Sequence, residues 1–172
     1  MAVRVVIDSI HVIRDGDEIS PGDWFVRLAA GPLSRPYATR SARWPRTGTV
    51  NVRDGRTYRP GTLRTVVRNL RPSERLRVAI VATDCDSDTL FEFGARLPGE
   101  IGDIFRALGD ASGSGRCSGE EFGEMSGAPD VAGTVLTFRA DTLMSGPRTF
   151  VRRVRGDEVE YVVRGRIIPL RP

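Results

Sequence analysis

Three aspartates, Asp84, Asp86 and Asp88, fall on alternate positions in the stretch ATDCDSD, directly after the apolar run LRVAIVA. Carboxylates this close repel one another unless a cation or a proton sits among them. Calcium suits such a set, because it takes roughly six to eight oxygen ligands at about 2.3–2.6 Å, many of them from carboxylates. A second acidic stretch, RDGDEISPGD, offers Asp15, Asp17 and Asp23, and Glu92 follows the first cluster. Two expectations follow. In one, Asp17, Asp23, Asp84, Asp86 and Glu92 converge on a calcium ion. In the other, the same residues are acidic turns that solubilise strand ends.

Other site chemistries are poorly supplied. His11 is the only histidine, and it lies within an alternating strand pattern, so it reads as structural and a Ser-His-Asp or Cys-His arrangement has little to build on. Cys85 and Cys117 would pair at most once, which is not a disulfide framework, and with one histidine they cannot complete a zinc site. A phosphate-cradling GxxxxGK[ST] loop is excluded because the chain contains no lysine. Nothing marks a substrate pocket, and the expectation is that the protein is not an enzyme.

The elements that would position these residues are strands. Residues 2–13 alternate apolar and polar, and so does WFVRLAAG after the first acidic stretch. The middle of the chain, PLSRPYATRSARWPRTGTVNVRDGRTYRPG, is rich in proline, glycine and arginine and reads as short edge strands and turns around NVRDGRTY. Two strands follow in TLRTVVRNLRPSERLRVAIVATD, split by RPSE. The last third offers GTVLTFRA, RTFVRRVR and VEYVVRGRIIPL, the last two joined by the turn GDE. Seven or eight strands separated by turns predict an all-β, eight-stranded antiparallel sandwich over residues 1–172, a single domain. Residues 98–126 break the pattern: Ile101, Ile104, Phe105 and Leu108 have helical spacing ahead of a Gly/Ser-rich loop, so a short helical insertion is expected there.

The acidic loops in this setting resemble those of the C-two domain, the calcium- and phospholipid-binding β-sandwich of the protein kinase C conserved-region-two type. Asp17 is followed six residues later by Asp23, which opens the strand WFVRL, and LRVAIVATD leads into Asp84, Asp86 and Glu92. The resemblance covers residues 2–95 and the closing strands at 130–170. Glu92 stands where that family has aspartate, FG follows where the family has an Ile-Gly pair, and no proline follows Asp23; Asp88 matches no family position. The likeness implies a C-two-like sandwich with calcium held by Asp17, Asp23, Asp84, Asp86 and Glu92. The insertion is similar to an EF-hand loop: DASGSGRCSGEE places Asp110, Ser112, Ser114, the carbonyl of Arg116, Ser118 and Glu121 at ligand positions, with Gly115 at the sharp turn. Only two of those ligands are carboxylates, so a plain Gly/Ser excursion is the competing expectation.

All 26 basic residues are arginine, and the formal net charge is +4. Arg35, Arg40, Arg43 and Arg46 crowd into RPYATRSARWPR, where they would meet an anionic partner or simply form a solvated basic edge. The aromatics nearby, Trp24, Phe25, Tyr37 and Trp44, read as packing residues more readily than as a base-stacking platform, so nucleic acid is not the expected partner. No apolar run approaches the ~20 residues of a membrane span, and no signal peptide is legible, which makes the cytoplasm the default location. The function expected is a non-enzymatic, calcium-responsive binding or recruitment module that acts on another protein or an anionic membrane. The alternative is a metal-free structural or assembly subunit.

Overall fold

A computed structural model describes residues 1–16, 22–85, 131–156 and 158–170. The chain order is β1 (Ala2–Asp15), β2 (Gly22–Pro32), a 3-10 turn (Pro36–Ala38), β3 (Arg40–Trp44), β4 (Val50–Val52), β5 (Thr57–Tyr58), β6 (Arg64–Val67), β7 (Arg75–Asp84), β8 (Val131–Arg139), the helical turn α1 (Ala140–Leu143), β9 (Arg148–Arg155) and β10 (Val159–Leu170). The strands form two antiparallel five-stranded sheets. One runs β5-β1-β10-β9 with β6 also on β1, and the other runs β3-β2-β7-β8 with β4 also on β2. The protein is an all-β sandwich, as expected, with ten strands among the described residues in place of eight. The difference lies in the proline- and arginine-rich middle, which contributes β3, β4 and β5, none longer than five residues. The expected insertion at 98–126 lies outside the described residues.

Alternation explains the first sheet. Val3, Val5 and Ile7 of β1 are buried on odd positions, then Ile10 and Val12 on even ones. The change of phase comes from an irregularity in the pairing with β10, where Ile7 faces Gly165 and Ser9 faces Arg164, leaving Asp8 as the extra residue. A bulge that adds one residue shifts every later side chain to the other face, and here it keeps the apolar set inside. Asp8 itself turns outward and takes a forked contact from Arg166, with Nη2 2.7 Å and Nε 2.8 Å from the carboxylate.

The two central strands of the second sheet follow a different rule. Trp24, Val26, Leu28 and Ala30 of β2 and Leu76, Val78, Ile80 and Ala82 of β7 line the core between the sheets. Phe25, Ala29, Ala79 and Val81, on the opposite face, are also fully buried. A strand buried on both faces needs a continuous apolar run, which is what LRVAIVA is.

The sheets are joined through Tyr161 of β10. Its ring meets Trp24 edge-on, with centroids 5.9 Å apart, and its hydroxyl donates to the Ala132 carbonyl of β8 at 3.1 Å. Burial pushes the Tyr161 hydroxyl far above its ordinary pKa, so it stays a donor.

Candidate functional site

The acidic end is built where β1 ends, β2 begins and β7 ends. Asp84 pairs across the sheet with Trp24, so it continues the core-facing series of Ala82 and is completely buried. Its Oδ1 accepts the backbone N–H of Asp23 at 2.9 Å. The chain passes so close that a Cβ on Gly16 would lie 2.5 Å from Asp84 Oδ2, and one on Gly22 would lie 3.0 Å from it. Gly16 also has φ +98°, a region that L side chains rarely adopt. Beside this, Trp24 Nε1 donates to the Asp15 carbonyl at 2.7 Å, and the Asp15 N–H donates to Asp54 Oδ1 at 2.7 Å. Asp54 and Asp84 therefore act here as acceptors for backbone donors at strand ends.

Asp23 and Asp84 lie on neighbouring strands, but the pleat sends their carboxylates to opposite faces. Asp23 is one residue out of phase with Trp24, and its Oδ1 is held by Asn51 Nδ2 of β4 at 2.5 Å. Among the described residues, no three His, Cys, Asp or Glu side chains come together as a metal-holding group. Asp17, Asp86 and Glu92, expected with them, lie outside the described residues, as does the loop carrying Asp110, Ser112, Ser114, Arg116, Ser118 and Glu121. His11 is half-buried on β1, with Nδ1 2.9 Å from Thr57 Oγ1 of β5, a contact that ties two strands.

The four arginines expected to face an anionic partner part company. Arg35 forms a fork on Glu74, with Nε to Oε1 and Nη2 to Oε2 both 2.8 Å, and Nη2 also reaches the Asn69 carbonyl. The Arg35 guanidinium, together with the Arg71 N–H and the Ser34 hydroxyl, draws Glu74 down to about 2. Arg43 lies over the Phe25 ring, 4.5 Å from its centroid, and burial, with Arg27 nearby, lowers its pKa. Arg46 is exposed in the turn after β3.

Arg40, by contrast, reaches an open cleft of about 450 Å³ lined by Arg4, Arg40, Ser41, Arg64, Thr65 and Val66. The cleft lies where β1 and β6 of one sheet meet β3 at the edge of the other. The register explains why two arginines face it. Arg4 pairs with Val66 and Val6 with Arg64, so Arg4 and Arg64 share one face as diagonal neighbours. Such positions are about 7–8 Å apart, close enough for two long side chains to engage one group. Among the described residues, none of these three arginines has a carboxylate partner; Arg40 spends one N–H on the Thr39 carbonyl at 3.2 Å. Several other arginines are matched: Arg153 and Arg155 share Glu160, Arg139 holds Asp141 and Arg166 holds Asp8.

Arg4 and Arg64 were not foreseen as site residues. Each sits on a polar phase of its own strand, 36 and 24 residues from Arg40, where nothing local distinguishes it from a solvated position. Compared with known proteins, the chain matches no family model and no curated protein.

Proposed function

We propose that this protein is a non-enzymatic binding module that docks an anionic group of a partner protein or membrane, with the cleft of Arg4, Arg40 and Arg64 as the contact. One observation carries this: three arginines from three strands line one cleft with no carboxylate among its lining. Like charges gathered in this way repel, and an incoming anion relieves the repulsion. Each guanidinium also presents a fork of donors that matches oxyanions, so docking has geometry as well as charge.

The test is binding of labelled poly-glutamate, and of vesicles carrying phosphatidylserine, at low and at raised ionic strength. At least one probe binds, binding weakens with salt, and the variant R4Q/R40Q/R64Q loses about tenfold or more in affinity. Failure of both probes at low salt removes the proposal.

A calcium-responsive form of the module would add Asp17, Asp86 and Glu92 to the acidic end, as the C-two resemblance implies. It predicts a melting temperature that rises with millimolar calcium and returns with a chelator; an unchanged melting temperature removes it.

A further inference from the structure

We infer that the Arg4–Arg40–Arg64 cleft is a site for a terminal phosphate monoester, bound as the dianion, and is more selective than a diffuse basic patch. The inference rests on the docking role proposed above and narrows it to one ligand chemistry.

Three features of the cleft point this way. The first is charge. Three arginines without a carboxylate partner among the described residues favour a dianion over a monoanion, and among common biological anions the terminal phosphate monoester carries close to two charges at neutral pH. A carboxylate or a phosphodiester brings only one. The second is donor geometry. Arg4 and Arg64 stand on the β1–β6 pair and Arg40 on β3, so arginines of both sheets line the cleft, and a tetrahedral phosphate has three free oxygens to receive their N–H groups. The third is size. At about 450 Å³ the cleft falls within the range of small-ligand sites, larger than one phosphate needs, and Val66 supplies apolar wall for the part of the ligand behind it.

The fold also holds the site in place. Arg4 and Arg64 stand on strands whose alternate residues, Val3, Val5 and Val67, are fully buried, which fixes the backbone from which both side chains project. Thr65, between Arg64 and Val66, is itself largely buried. Both arginines thus project from a backbone that core packing holds in place.

The same chemistry reaches a protein from two sources, a soluble phosphorylated metabolite or a phosphomonoester lipid, and titrations of the full chain distinguish them. Glycerol 1-phosphate is compared with dimethyl phosphate at equal ionic strength by calorimetry. Vesicles containing phosphatidic acid are compared with vesicles containing phosphatidylglycerol. Expected is a preference for the monoester of about tenfold or more, and tighter binding as pH rises through the second phosphate pKa, roughly 6. R4Q and R64Q each weaken binding, and R46Q, an exposed arginine away from the cleft, leaves it unchanged. Preference in the soluble pair alone assigns a metabolite; preference in the vesicle pair alone assigns a lipid. Equal binding of monoester and diester in both pairs, or an R46Q loss equal to that of R4Q, overturns the inference. If poly-glutamate or phosphatidylserine still binds in that case, the docking role stands without it; if neither binds, both fall. Thermal melts of each variant accompany the titrations, so that a loss of fold is not read as a loss of ligand.

Discussion

Asp84 shows how one residue type can serve opposite ends. As a member of an alternating aspartate run it invites a cation, yet its carboxylate is buried and its Oδ1 receives the Asp23 N–H. A buried donor left without its acceptor costs about 1–3 kcal/mol, so Asp84→Ala should lower unfolding stability by that order, measured from the urea midpoint. Gly16→Ala should do comparable damage from the other side of the contact, because the new Cβ would meet Asp84 Oδ2 and the φ of +98° is unfavourable. Glu74 gives a pH signature. Its folded pKa lies near 2 against an ordinary 4.5, because Arg35 and the Arg71 N–H favour the ionised form. A depressed carboxyl pKa means that the folded state binds fewer protons than the unfolded one. The contribution is therefore complete above the ordinary value and is lost as pH falls from 4.5 towards 2. Melting curves across that window should fall less steeply in Glu74→Gln than in the parent chain.

At the scale of elements, the long strands were legible because each buries one face or both, and burial writes a period into the sequence. LRVAIVA forms most of β7, and VEYVVRGRIIPL is the whole of β10. The phase change in β1 was not legible, because AVRVVIDSIHVI alternates well enough on either side of Asp8 to hide the extra residue. β3, β4 and β5 are too short for any period to be distinctive, and only the turn chemistry around NVRDGRTY marks the last two, whereas β6 falls within the strand read in TLRTVVRNL. The bond across the sheets by Tyr161 was equally silent in the sequence. Tyr161→Phe keeps the Trp24 contact and removes only the hydroxyl that reaches Ala132, so a loss of about 1 kcal/mol in unfolding free energy is expected. The β9 edge carries Arg148, Arg153 and Arg155 around the exposed Val151, a charged border of the kind that discourages pairing with another chain.

For the whole molecule, the redox state offers a further measurement. Cys85, one of two cysteines in the chain, is disulfide-bonded. Bonds of this kind persist in oxidising compartments and are rare in the cytosol, a point that bears on the expectation of a cytoplasmic location. Thiol titration of the freshly isolated, unfolded chain should show no reactive Cys85 until a reductant is added. Among the described residues no helix is long and apolar enough to cross a membrane. The sandwich itself could be read from local pattern, because apolar alternation and turn chemistry are properties of neighbouring residues. So could the presence of acidic strand ends and a lysine-free basic surface, which are matters of composition. The roles of particular charges could not. Arg35 and Arg40 lie five residues apart in one basic run, yet the first is committed to Glu74 and the second opens onto a cleft with Arg4 and Arg64. Whether a charge is matched depends on which strands pair and where two sheet edges meet. Contacts between residues far apart in the chain set that outcome, so only the tertiary structure decided which arginines remain available to a ligand.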